Sequence, residues 1–126
     1  MINPDQCLFA KSHEWISADG TVGISDHAQS EITDVVFVEL PKIGRIIKAG
    51  DPIAVVESVK AAFDIYAPVS GKVLKVNAEV SKNPAIVNQS CYEKGWLFTM
   101  ERSDKADDMK LMSHSTYQKS LEEDTH

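Results

Sequence analysis

The sequence has few cysteines: Cys7 and Cys91 are the only two in 126 residues. Two are too few for a disulfide framework, and each reads as a small, half-buried hydrophobe. No apolar run is long enough for a membrane-spanning helix. There is no excess of base either. The net charge is −6, which disfavours a nucleic-acid surface and favours solubility. The N-terminus, Met1-Ile2-Asn3-Pro4-Asp5-Gln6, has no basic stretch followed by an apolar core, and it is not rich in Arg and Ser. Neither a secretory signal nor a transit peptide is read there. The expected location is the cytoplasm, or the mitochondrial matrix if a presequence has been removed.

The parts of a self-sufficient enzyme are also missing. His13, His27, His114 and His126 are not spaced with Cys, Asp or Glu as a metal site requires. There is no nucleophile elbow, phosphate loop or dinucleotide fingerprint. Asp107-Asp108 and Glu122-Glu123-Asp124 read as solvated faces. What remains is a carrier, a binding module or a structural subunit.

Turning to what is present, the length suits one domain, and 43% hydrophobic with 25% charged residues is ordinary for a globular chain. Glu14-Trp15-Ile16 and Thr21-Val22-Gly23-Ile24 read as two strands joined by a turn at Ala18-Asp19-Gly20. Ser25 or Asp26 caps a short helix to about Ile32. Val35-Val36-Phe37-Val38-Glu39-Leu40 is the strongest strand, ended by Pro41. Lys72-Val73-Leu74-Lys75-Val76 alternates as a half-buried strand should. Asn77 caps a helix from Ala78 to Lys82, broken at Asn83-Pro84. Gly95 to Met100 reads as a last strand. Beyond Glu101 the β-branched residues thin out. One helix is expected through Asp107, Met109, Leu111 and Met112. A second is capped by Ser113, with Tyr117 and Leu121 on one face, and residues Glu122 to His126 are expected to fray. Gly44-Arg45-Ile46-Ile47-Lys48 and Gly71-Lys72-Val73-Leu74-Lys75 echo one another. Each precedes an aliphatic pair, Ile53 with Val55 and Ile86 with Val87, which suggests two half-sheets related by a pseudo-twofold.

By periodicity alone residues 52–66 read as an amphipathic helix, with Lys60 in water on its polar side. Asp51 and Pro52 make a good helix start. Val55, Val56, Val59, Ala62, Phe63 and Tyr66 fall on one helical face, and Pro68 would stop the helix. A strand–turn–strand alternative needs a turn at Ser58-Val59-Lys60, without Gly, Asn or Pro.

A resemblance decides between them. Glu57-Ser58-Val59-Lys60-Ala61-Ala62, followed by Asp64-Ile65-Tyr66-Ala67-Pro68-Val69-Ser70-Gly71-Lys72-Val73, resembles the lipoyl-lysine segment of the H proteins of glycine cleavage systems. Four further blocks resemble the same family in the same order. They are Ser12-His13-Glu14-Trp15; Val22-Gly23-Ile24-Ser25-Asp26-His27-Ala28-Gln29; Val36-Phe37-Val38-Glu39-Leu40-Pro41 with Gly44; and Tyr92 with Gly95-Trp96-Leu97. The resemblance implies a mainly β fold, a lipoyl-type barrel-sandwich hybrid of two antiparallel sheets with short helices. The chain is then one lipoyl-carrier domain over 1–126, with a β body at about 7–101 and a helical C-terminal tail at about 102–126. Lys60 is placed at a hairpin tip between strands 53–57 and 61–66. Thr33 stands where the family usually has glycine, Ile32 where it has leucine, and Phe63 where a small or polar residue is commoner.

The same resemblance implies the function. Lipoate is attached covalently to Lys60. A pyridoxal-phosphate-dependent glycine decarboxylase (P protein) passes an aminomethyl group to the arm. An aminomethyltransferase (T protein) takes the one-carbon unit and releases ammonia, and dihydrolipoyl dehydrogenase (L protein) reoxidises the arm. The chain itself is non-catalytic and expected to be a monomer. Glu57, Ser58, Val59, Ala61 and Gly71 resemble positions read by a lipoate ligase or octanoyltransferase, Gly71 serving equally as a turn glycine. Glu14 is the candidate contact for the cargo amine; the plainer alternative is an exposed surface glutamate. A related role, relaying lipoate to 2-oxo-acid dehydrogenases, fits the same residues, and so does an unmodified scaffold that keeps only the fold. A biotin carrier is disfavoured, since Val59 and Ala61 flank the lysine where that class has methionines.

Overall fold

The structure, a computed structural model, describes residues 2–103 and 105–124. The chain opens with a short 3-10 helix at Pro4–Gln6, then β1 (Leu8–Phe9), β2 (Glu14–Ile16), β3 (Thr21–Ile24), α1 (Asp26–Ile32) and β4 (Val35–Glu39). β5 (Ile46–Ile47), β6 (Pro52–Ser58), β7 (Ala62–Tyr66) and β8 (Gly71–Val76) follow. Then come α2 (Ala78–Lys82), α3 (Ile86–Gln89), β9 (Phe98–Arg102), a 3-10 helix at Lys105–Lys110, β10 (Met112–Ser113) and α4 (His114–Asp124).

Two antiparallel sheets result. One has seven strands in the order β10-β1-β2-β3-β9-β8-β5, and the other has three in the order β4-β6-β7. Their facing sides bury an apolar core that includes Val22, Ile24, Val38, Val56, Ile65, Val73 and Phe98. A second cluster lies under α4: Cys7, Phe9, Trp15 and Tyr117, with Tyr92, Trp96 and Leu121 against it. Trp15 is fully buried, and its indole N–H donates to the carbonyls of Ile24 and Cys91. A Cβ at Gly23, its cross-strand partner, would stand 2.6 Å from the indole ring, so the ring lies where a side chain would otherwise be. Among the described residues no helix is long and apolar enough to cross a membrane.

The caps act as their sequence suggests. Ser25 Oγ accepts from Ala28 N, and Asn77 Oδ1 accepts from Glu79 N. Helical periodicity at 52–66 is misleading for an identifiable reason. The β6–β7 register shifts between Pro52 and Ala54, so Ile53 and Ala54 are both buried in succession. The two-residue alternation is lost there and a helix-like spacing appears.

Four local expectations need correction. The tail does not form one helix through Asp107 and Met112; it forms a 3-10 helix and then a strand, because Met112 pairs with Phe9 on the sheet edge. Ser113 does cap the next helix, accepting from Thr116 N. The last strand starts at Phe98 and runs to Arg102, since Gly95 N and Asn77 N bond to the Ser90 and Leu97 carbonyls outside the ladder. The echo does not build two half-sheets: its first parts, β5 and β8, pair directly with each other, while Ile86 and Val87 lie in α3. Asp107 and Asp108 are fasteners rather than solvated faces. Asp107 accepts from Ser70 N, and Asp108 pairs with Arg102, which also donates to the Ser17 and Ala18 carbonyls. α4 includes Glu122 to Asp124; the part of the fraying expectation that falls on Thr125 and His126 lies outside the described residues.

Candidate functional site

The β6–β7 hairpin carries Lys60 at its tip. Glu57 pairs with Ala62 on one side and Phe37 of β4 on the other, and Val55 pairs with Asp64. Ser58 N donates to the Ala61 carbonyl at 2.8 Å. The tip contains no glycine, asparagine or proline, and no residue in it has positive φ. Ser58 makes the turn. Its hydroxyl oxygen accepts from Lys60 N at 3.2 Å and from Ala61 N at 3.3 Å, replacing backbone acceptors that a tighter turn would have supplied. Ser58 is buried, whereas Lys60 and Ala61 are exposed and Val59 is 75% exposed. Among the described residues no carboxylate forms an ion pair with Lys60. An amine fixed on a short, internally bonded turn and open to solvent can be acylated by an enzyme without unfolding its surroundings.

The base of the same hairpin meets Glu14. This residue is only 1% exposed, so it is not a surface glutamate. Its Oε2 accepts from Tyr66 N at 3.1 Å, and its Oε1 accepts from the Ser12 hydroxyl. Tyr66 is on the edge strand of the three-stranded sheet and Glu14 on the seven-stranded one, so the carboxylate occupies a backbone donor that pairing leaves open. Burial pushes its carboxyl up to about 7 from an ordinary 4.5, and the bonds from Ser12 and Tyr66 offset this only partly.

A cleft of about 360 Å³ lies beside Glu14, within the range typical of small-molecule sites, roughly 300–1,000 Å³. Ser12, which bonds Glu14, and Ile65, next to Tyr66, are both in its wall. The remaining wall is largely apolar, with Ile24, Ala28, Ile32 and Phe63, and His13, His27, Glu31 and Asp64 stand at its polar margin. His13 holds a positive φ of 80° in the turn before β2, and its Nδ1 lies 2.7 Å from the Tyr117 hydroxyl. That hydroxyl is also 2.7 Å from Ser25 Oγ, so α4 is tied to the cleft through one buried phenol. Composition and spacing gave no sign of this, because Tyr117 and His13 are far apart in sequence. The two cysteines take no part. Burial, with Asp19, pushes the Cys7 thiol up to about 11, and burial, with Asp26, pushes Cys91 up to about 12. Neither is a thiolate near neutral pH.

The structure thus brings Glu57, Ser58, Val59, Lys60 and Ala61 together at one tip and Glu14 to the base of the same hairpin. Gly71 is elsewhere, at the start of β8 in the other sheet, between Ile47 and Arg102. It is not a turn glycine: a Cβ there would stand 1.9 Å from the Glu101 carbonyl oxygen, so close strand approach is its structural reason.

Two small antiparallel sheets, a lysine on the hairpin tip of one and a helical C-terminal segment define a lipoyl-type barrel-sandwich hybrid domain. A family profile described as Glycine cleavage H-protein matches residues 7–124. The glycine cleavage system H protein of Deinococcus deserti is 55% identical over 109 residues, covering 86% of this chain and 91% of that protein. The one from Deinococcus radiodurans is 57% identical over 104 residues, covering 82% and 87%. The crystal structure of a glycine cleavage system H protein from Mycobacterium marinum superposes with a TM-score of 0.85 at 31% identity, covering 94% of this chain and 98% of that one. The chain belongs to the glycine cleavage H-protein family.

Proposed function

We propose that the chain is a single non-catalytic carrier domain that bears lipoate in amide linkage on Lys60. In this reading it carries the aminomethyl group of glycine from the pyridoxal-phosphate-dependent decarboxylase to the aminomethyltransferase, with dihydrolipoyl dehydrogenase closing the cycle. The observation that carries it is the exposed Lys60 on a Ser58-built hairpin tip, whose following strand, β7, lines a largely apolar cleft with Phe63 and Ile65. When bound, lipoate supplies a strained disulfide on a tether, which accepts a carbon fragment on sulfur and raises its effective concentration at each partner.

The chain's own residues present, read and receive. Ser58 fixes the direction of Lys60. Glu57, Ser58, Val59 and Ala61 form the surface that a lipoate ligase or octanoyltransferase reads around the lysine, and Gly71, in the other sheet, is a further position such an enzyme reads. Glu14 receives the cargo amine. A buried carboxylate that forms no ion pair among the described residues is an acceptor for an ammonium group, and ion pairing there lowers the cost of its charge. The same cleft excludes water from the cargo. The acidic net charge, −6, steers basic partner surfaces to the chain. The chain works as a monomer in the cytoplasm, or in the mitochondrial matrix of a eukaryotic source.

Intact mass tests the attachment. The wild-type chain coexpressed with a lipoate ligase and lipoate gains one lipoyl group, and Lys60→Arg gains none. An unmodified wild type overturns the reading. A deletion strain separates the second role, relay of lipoate to 2-oxo-acid dehydrogenases: loss of glycine cleavage supports the carrier, and loss of dehydrogenase lipoylation supports the relay.

A further inference from the structure

We propose that Phe63 is the seat of the arm, the residue over which the lipoyl chain packs when its far end reaches Glu14, and that this contact sets how well the cargo is shielded. The inference rests on the carrier reading above. It follows from where three residues stand on one strand. Lys60 is at the tip that leads into β7, Phe63 is the second residue of β7, and Tyr66, whose N–H is held by Glu14, is its last. With a strand rise of about 3.4 Å per residue, Phe63 is about 10 Å from Lys60 along the chain and about as far from Tyr66. An arm anchored at Lys60 with its end at Glu14 therefore runs along β7 and passes Phe63 midway.

The side chain is turned the right way for this. Phe63 pairs with Val56, which is fully buried, and both point to the side opposite the exposed Asp64. It is half-buried, packed on the core at one edge and open to the cleft at the other. Among the described residues it is the one aromatic in the cleft wall apart from the two histidines, and Ile24, Ile32 and Ile65 continue its apolar surface. The arm to be seated is an aliphatic chain ending in sulfur. Aliphatic carbon gains by covering an apolar ring, and sulfur makes favourable contacts at ring edges. A small or polar residue at this position would leave the middle of the path in water.

The test uses the lipoylated protein with its disulfide reduced and then loaded by formaldehyde and ammonium. One thiol, formaldehyde and ammonium give an S-aminomethyl group with loss of water, and the second thiol stays free. Iodoacetamide then alkylates that thiol, followed by intact mass. Wild type, Phe63→Leu and Phe63→Ser are compared with a loaded free dihydrolipoamide. The wild-type thiol is expected to react at least tenfold more slowly than the free compound. Phe63→Leu should stay within about twofold of wild type, and Phe63→Ser should react at least fivefold faster than wild type with an unchanged circular-dichroism spectrum. A protected wild type with an equally protected Phe63→Ser overturns the role of Phe63 alone. A lipoylated wild type that reacts like the free compound overturns this proposal and leaves the carrier reading standing, whereas a wild type that never gains a lipoyl group overturns the carrier reading beneath it.

Discussion

Glu14 Oε2 accepts the backbone N–H of Tyr66 across 3.1 Å, and through this bond a buried carboxylate of one sheet holds the edge strand of the other. The carboxylate is costly to keep charged there, and its pKa stands at about 7 for that reason. In the unfolded chain the same group titrates near 4.5. Between these values the folded state binds more protons than the unfolded one, so stability falls as pH rises from 4.5 to 7 and is level above. The loss from this group amounts to about 3 kcal/mol at full extent.

Glu14→Gln is therefore expected to raise the melting temperature at pH 8 and to flatten the decline between pH 4.5 and 7. A glutamine can still accept from Tyr66 N and bond to Ser12. Thermal unfolding of both chains across that range is the measurement, and a decline of equal slope in the variant would show that Glu14 is not its source.

Ser58→Ala should loosen the tip without unfolding the body. Two backbone N–H groups, those of Lys60 and Ala61, lose their acceptor. Both are near water, so the cost is about 1 kcal/mol, a few degrees in melting temperature. Hydrogen exchange at Lys60 and Ala61 should speed up, and ligase-catalysed lipoylation should slow.

Thr33→Gly should stabilise the protein. Thr33 ends α1 at φ 67° and ψ −146°, a region essentially reserved for glycine. Relief of that strain exceeds the extra freedom of glycine in the unfolded chain, for a net gain of about 1 kcal/mol. Chemical denaturation gives the value directly.

Gly71→Ala should cost about 3 kcal/mol or more, because the added methyl group meets the Glu101 carbonyl oxygen and β8 and β9 must separate. If Gly71 serves only as a recognition point, the variant will instead keep its stability and lose lipoylation.

Much of the local architecture was written in the sequence. The β2–β3 hairpin, the Ser25 and Asn77 caps and the Ser113 cap rest on side chains bonding to backbone a few residues away, an effect that short-range patterns carry. The hairpin at 52–66 was not legible from periodicity, since a bulge at Ile53 erased the strand alternation and Ser58 served as the turn residue in place of a glycine. There the family resemblance at Glu57-Ser58-Val59-Lys60-Ala61 supplied what local rules did not.

By itself, then, local sequence determined the β2–β3 hairpin and the helix caps, and the family resemblance alone put Lys60 at a hairpin tip. Tertiary structure decided the rest. Glu14 is raised in pKa only because the fold buries it, and the N–H of Tyr66, 52 residues later, offsets part of that rise. The cleft took shape only where β7 meets α1 and the turn before β2, and Tyr117 reaches that margin from the last helix. Burial and desolvation arise from surfaces meeting across the fold, and no window of sequence contains both sides of such a contact.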